Sequence, residues 1–316
     1  MKPFAFVFPG QGSQSVGMLD AWGDHVVVRQ TLQEASDALG ENLSQLIHDG
    51  PKEALALTTN TQPVMLVAGV AAYRVWMAEV GVAPQAVAGH SLGEYAALVA
   101  AGSLTLAQAA PLVRLRAQAM QDAVPVGVGA MAAILGMDAQ RVAALCAEVT
   151  QEFGAASAEV VEAANFNDPS QTVISGSKAA VDRACEVLKA NGAKRALILP
   201  VSAPFHSSLM LPAAQKLQQR LAEIEFAVPQ IALVNNIDVI VESDIACIRD
   251  ALYRQAFGPV RWVETVHAIK ACGIAHLVEC GPGKVLAGMV KRIDPKLTGM
   301  ALFDPASLAD AQGALA

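Results

Sequence analysis

The chain has 316 residues, 53% hydrophobic and 16% charged, so it can fill a substantial core and is not a disordered polymer. At roughly 150 residues per domain, that length allows one to three domains. With 22 Lys and Arg against 29 Asp and Glu the net charge is −7, which excludes general binding to nucleic acid or anionic membranes.

The first predicted element is a strand over Phe4–Phe8. It has no preceding basic region, long apolar stretch or cleavage site, so no secretory signal is expected. A buried helix is predicted over Val64–Val80 and a short strand over Ala86–Ala88. Glu94–Ala101 reads as helical, and Thr105–Ala123 as a helix opened by the capping box Thr105-x-x-Gln108. Residues 54–73 and 95–113 carry no charge, but polar residues, glycine and proline interrupt both, so no membrane span is expected. Short strands alternating with longer helices predict an α/β fold with a mostly parallel sheet.

At Val126-Gly127-Val128-Gly129 the pattern changes. Strands are predicted over Ala130–Leu135, Val160–Asn165, Thr172–Ile174 and Arg195–Leu199, with helices over Asp138–Phe153 and Lys178–Ala190. The order β-α-β-β-α-β is the split βαβ arrangement. It predicts a small inserted domain at 128–200 inside a main domain formed by 1–127 and 201–316. Further main-domain strands are expected near Ile231–Val234 and His276–Val278. The cysteines Cys146, Cys185, Cys247, Cys272 and Cys280 have no C-x-x-C spacing, which argues against structural zinc or a disulfide framework and fits a reducing cytoplasm.

Gly89-His90-Ser91-Leu92-Gly93 lies between a predicted strand and helix, the context of a G-x-S-x-G nucleophile elbow. Its glycines would permit the tight turn. The Leu92 N–H, at a helix N-terminus, would face the anion formed when Ser91 attacks a carbonyl. Ser91-x-x-Glu94 also fits a capping box, which would occupy the hydroxyl structurally. A serine nucleophile needs a base, and His206 lies in a proline-containing loop where the inserted domain closes; judged alone, it reads first as an ordinary surface-loop histidine. His90, adjacent in sequence, is expected to point away from Ser91.

Arg116 falls inside the apolar stripe of its helix, among Ala109, Leu112, Val113, Ala119 and Met120, while Arg114 faces the polar side. A buried guanidinium must find an anion, either an internal Asp or Glu or a substrate carboxylate. Gln11 lies just past the first strand, at the sheet edge where α/β proteins bind ligands, or is simply a polar turn residue. No Lys-[Ser/Thr] follows it, so a phosphate loop is excluded. Gln255 ends a helix before the Gly258-Pro259 break.

GQGSQ at 10–14, GHSLGE at 89–94, RAQAMQ at 116–121, GAMAAI at 129–134, ANFNDPSQTVISG at 164–176, APFHS at 203–207, QAFGPVRW at 255–262 and ECGPGKVL at 279–286 occur in this order. Together they resemble the malonyl-CoA:acyl carrier protein transacylases, which load malonyl groups in type II fatty acid synthesis. The resemblance implies a hydrolase-like α/β core carrying a ferredoxin-like insert. It implies Ser91 as nucleophile, His206 as base, and Gln11 with the Leu92 backbone as oxyanion hole. It also implies Arg116 as the malonyl carboxylate ligand, with Gln255, Met131, Asn165 and Phe205 at the substrate site. In this family a backbone carbonyl orients the histidine, at the position of Gln255. Gly258 departs from the motif, where Asn often stands.

The resemblance further implies malonyl-CoA and an acidic acyl carrier protein as partners, no metal or prosthetic group, a monomer, and a cytoplasmic location. Residues 281–296 hold Lys284, Lys291, Arg292 and Lys296 against Asp294, a local +3 (four minus one), and Lys194 with Arg195 forms a second basic pair. Either is a candidate docking patch or a solvated face. A serine esterase or thioesterase is the rival with water as acceptor, but its His-Gly-rich oxyanion segment is missing here. A carrier-binding scaffold without catalysis is the non-enzymatic alternative.

Overall fold

Every residue of β1 (Phe4–Phe8) is buried, and its side chains alternate between two cores. Phe4, Phe6 and Phe8 pack on one face, where Phe4 and Phe6 meet Trp76 edge to face, and Ala5 and Val7 pack on the other with Trp262 and Val290. Such a strand belongs in the middle of a sheet covered on both sides. The computed structural model describes residues 1–154, 156–201 and 203–316. In it β1 pairs in parallel with β2 (Ala86–Gly89) and β8 (His276–Cys280). Beyond these lie β7 (Ala232–Val234) and β9 (Thr298–Leu302), also parallel.

Between β1 and β2 run α1 (Val26–Leu39), α2 (Leu43–Asp49), α3 (Lys52–Ala56) and α4 (Thr58–Glu79). After β2 come α5 (Gly93–Ala100) and α6 (Leu106–Asp122). The predicted capping box is present: Thr105 Oγ1 accepts from the Gln108 N–H, and the Gln108 side chain accepts from the Thr105 N–H. α4 starts at Thr58, before the predicted Val64, with Pro63 inside it. The missing N–H of Pro63 removes one helical bond, and burial of this turn holds it without ending the helix.

A second, antiparallel sheet has the order β4-β5-β3-β6, built from β3 (Gly129–Leu135), β4 (Val161–Asp168), β5 (Gln171–Ser177) and β6 (Arg195–Ile198). α7 (Ala139–Glu152) follows β3 and α8 (Lys178–Ala190) follows β5, and both share a core with Ala132, Ile134 and Ile174. Strand alternation turns Met131 and Ala133 to the opposite face, toward the first sheet. The sheets are tied through β4: the Phe166 N–H donates to the Val260 carbonyl at 2.9 Å and the Val260 N–H to the Ala164 carbonyl at 2.8 Å.

The chain then returns through α9 (Leu211–Glu223), α10 (Ile245–Gln255), α11 (Trp262–Ala271), α12 (Val285–Ile293) and α13 (Pro305–Leu315). β9 was not anticipated: it is a short, half-exposed edge strand with Gly299 inside it, and carries little apolar pattern. Among the described residues, no helix is long and apolar enough to cross a membrane.

Candidate active site

Ser91 occupies the turn between β2 and α5 with φ 52°, a left-handed conformation that non-glycine residues rarely adopt. The flanking glycines serve a different purpose from the one expected, since neither has a positive φ. They supply space. A Cβ on Gly89 would lie 1.8 Å from the Gly93 carbonyl carbon, and one on Gly93 would lie 2.1 Å from the Phe8 carbonyl oxygen. The strain therefore falls on the serine itself.

The Ser91 hydroxyl does not cap α5. Its Oγ lies 2.7 Å from His206 Nε2 and accepts from Arg116 Nη2 at 3.1 Å. The turn is clamped from both sides: the Ser91 N–H donates to Asn236 Oδ1 at 2.7 Å, and the Ser91 carbonyl accepts from Gln255 Nε2 at 3.0 Å.

His206 Nδ1 lies 2.9 Å from the Gln255 carbonyl and 3.1 Å from the Gly258 carbonyl. Carbonyls only accept, so Nδ1 carries the proton and Nε2 offers its lone pair to the Ser91 hydroxyl. Burial, followed by the Arg116 charge, pushes the imidazole pKa down to about 3, so it is neutral at pH 7. The motif departure at Gly258 leaves its carbonyl in place as the second acceptor. In this chain a Cβ there would meet Ile237 Cδ1 at 2.6 Å and the Arg254 carbonyl oxygen at 2.9 Å.

Arg116 is 2% exposed and sits with its guanidinium carbon 5.5 Å from the Tyr95 ring centroid. Nη1 donates to Gln62 Oε1 at 2.7 Å, and Nη2 donates to Gln255 Oε1 at 3.1 Å as well as to Ser91. These are all neutral oxygens. The internal Asp or Glu partner allowed by the sequence is not found among these bonds. Burial lowers the guanidinium pKa from its ordinary value, which favours any arrangement that delivers an anion to it.

A cavity of about 270 Å³ opens between the two sheets, with Ser91, His206 and Arg116 in its wall. Gln11 and Leu92 line it from the first sheet's loops; Gln11 Nε2 reaches Thr58 Oγ1 at 3.3 Å, and Leu92 is the N-cap of α5. Met131, Asn165 and Phe205 line the other side. Gln255 does not line the cavity: it is fully buried behind Ser91 and Arg116, so direct substrate contact is replaced by support of both side chains. His90 also lines the cavity, but its ring turns to β4, with Nε2 2.9 Å from Asn167 Oδ1.

Three residues of this network are not identified by sequence pattern alone. Gln62 is a buried amide next to the apolar run that begins at Val64, in a helix opened by Thr58, Thr59, Asn60 and Thr61, so its polarity did not set it apart. Asn236 is the second residue after a predicted strand, at the sheet's carboxyl edge, a detectable position. Glu94 was read only as a cap; its Oε2 in fact accepts from the Asn236 N–H at 3.0 Å and Gln255 Nε2 at 2.9 Å. Among the described residues, no group of three His, Cys, Asp or Glu side chains is placed to hold a metal ion.

A family model described as "Acyl transferase domain" matches residues 5–296. The malonyl CoA-acyl carrier protein transacylase of Salmonella typhimurium is 52% identical, over 98% of this chain and 99% of that one. A solved acyl-carrier-protein S-malonyltransferase from Burkholderia pseudomallei is 62% identical with TM-score 0.95, covering 99% of this chain and 100% of that one. A solved complex of a type II PKS acyl-carrier protein with its malonyl-transacylase is 50% identical with TM-score 0.95, at 99% and 100% coverage.

Proposed function

The chain belongs to the acyl transferase family, among the malonyl-CoA–acyl carrier protein transacylases, and from that premise we propose that it transfers malonyl from malonyl-CoA to the phosphopantetheine thiol of acyl carrier protein for fatty acid synthesis. The observation that carries the reading is the convergence on Ser91 Oγ of His206 Nε2 at 2.7 Å and Arg116 Nη2 at 3.1 Å. One group takes the serine proton, and the other meets the far carboxylate of the acyl group.

In the first half-reaction His206 Nε2 takes the hydroxyl proton as Ser91 Oγ bonds to the thioester carbonyl carbon. A positioned base of this kind contributes about 10²–10⁴-fold. The carbonyl oxygen becomes an oxyanion held by Gln11 Nε2 and the Leu92 N–H, where losing one donor typically costs about 2.7–4 kcal/mol. The tetrahedral centre collapses, the C–S bond breaks, and His206 returns the proton to the coenzyme A thiolate. A malonyl ester remains on Ser91.

The carrier thiol then attacks that ester with His206 taking its proton and returning it to Ser91, which is ping-pong exchange. The Gln255 and Gly258 carbonyls hold the imidazole through Nδ1 in place of an acidic third residue. Every proton and bond change in this scheme runs through this chain's side chains, the malonyl-CoA thioester and the carrier thiol, so no metal or prosthetic group of this chain is assigned. Met131, Asn165 and Phe205 bound the acyl pocket.

Several finer readings go with this proposal. Residues 128–200 form a ferredoxin-like insert in a hydrolase-like core, a reading supported by the β-α-β-β-α-β order and the sheet order β4-β5-β3-β6. The protein acts as a cytoplasmic monomer. Its carrier partner docks on basic residues around α12, with Lys284 and Lys291 the principal contacts because Arg292 Nε already meets Asp168 Oδ2 at 2.8 Å. Lys194 and Arg195 form a second basic cluster on the insert, an alternative docking point.

Mass spectrometry after mixing with malonyl-CoA tests the reading. A malonyl adduct on Ser91 that a carrier thiol discharges is the expected result. Rapid release of free malonate would make the protein a hydrolase, and no adduct would leave only a carrier-binding scaffold.

A further inference from the structure

The positive φ of Ser91 is unfavourable for a residue with a Cβ, so something must hold the turn. Two side chains do so from opposite sides, Asn236 on the Ser91 N–H and Gln255 on the Ser91 carbonyl. They come from different segments, one after β7 and the other at the end of α10. Both return to one atom, Glu94 Oε2, which accepts the Asn236 N–H at 3.0 Å and Gln255 Nε2 at 2.9 Å. Asn236 is fastened once more by Nδ2 donating to the Gly89 carbonyl at 2.6 Å.

The bonds form a closed ring running Ser91, Asn236, Glu94, Gln255 and back to Ser91. Glu94 sits in the first turn of α5, buried, three residues after the nucleophile. Gln255 also supplies the carbonyl that orients His206. A single carboxyl oxygen thus anchors both clamps on the nucleophile and the residue that aims its base.

We infer that Glu94 is a positioning residue whose Oε2, as a shared hydrogen-bond acceptor, holds Ser91 in its left-handed turn in line with His206. The inference rests on Ser91 being the nucleophile. Its content is that acceptor geometry matters at this position. An amide oxygen in the same place would satisfy both donors, whereas an aliphatic side chain of similar size would leave the Asn236 N–H and one Gln255 N–H buried and unpaired.

The test compares Glu94→Gln, Glu94→Leu and the unchanged protein in malonyl transfer to acyl carrier protein, with Tm and the single-turnover rate of Ser91 malonylation measured on each. Glu94→Leu is expected to lower kcat and the acylation rate by on the order of 10²-fold, the effect of a small misplacement of reacting groups, while KM for malonyl-CoA changes far less. Glu94→Gln is expected to restore most of both rates. Should Glu94→Leu fail to fold, Glu94→Ala, which leaves room for water, replaces it in the same comparison. An undiminished acylation rate in the apolar variant, or equal losses in Glu94→Gln and Glu94→Leu, overturns the inference. Absence of any adduct on the unchanged protein would instead overturn the functional reading.

Discussion

Arg116 Nη2 and Ser91 Oγ are joined by a 3.1 Å hydrogen bond, so the cation we propose as the acyl group's selector touches the oxygen we propose as its attacker. A carboxylate bound at Arg116 is thereby placed within a few bonds of the reacting carbonyl, the spacing of a short diacid thioester. Without such an anion the guanidinium rests on the neutral oxygens of Gln62, Gln255 and Ser91. Glu94 acts on this guanidinium through its field, but none of these three bonds to Arg116 ends on a carboxylate, so direct pairing is left to an incoming anion.

Arg116→Ala should therefore cut kcat/KM for malonyl-CoA far more than for acetyl-CoA. An unpaired buried charge costs about 3–5 kcal/mol, which bounds the discrimination at roughly 10²–10⁴-fold. Parallel assays on the two thioesters measure it. Equal losses would make Arg116 a structural residue.

His206 should make stability depend on pH with a definite sign. Its pKa is near 3 in the folded protein, against an ordinary 6.5. Between those values the unfolded chain binds a proton that the native site refuses, so this residue's contribution falls as pH drops below 6.5. Glu94 and Glu279, both pushed up to about 7 by burial, act in the opposite sense, favouring the folded state more as pH falls from 7. The difference between wild type and His206→Ala isolates the histidine. Going from pH 7 to pH 5, the urea midpoint should shift more favourably in the variant than in wild type, and an identical shift in both would refute the assignment.

Phe205 lines the cavity one residue before the base and should crowd a branched α-carbon. Phe205→Ser is expected to raise transfer of methylmalonyl relative to malonyl, measured as the ratio of kcat/KM on the two substrates. If that ratio does not move, the pocket wall that rejects the branch lies elsewhere.

What could be read along the chain is what depends on near neighbours. A continuous apolar run marked β1 as a strand, Thr105 and Gln108 announced the start of α6, and the stripe around Arg116 showed that a guanidinium would be buried. These are periodic or short-range patterns, and burial repeats with the same period. The partners of that guanidinium were not legible, because Gln62, Ser91 and Gln255 lie on three elements that meet only when the helices pack. Nor was the strain at Ser91, which Asn236 and Gln255 sustain from more than a hundred residues along the chain, both anchored on nearby Glu94. Local sequence chose the chemical groups; tertiary packing decided which of them face one another, since hydrogen-bond geometry depends on positions in space that no local period encodes.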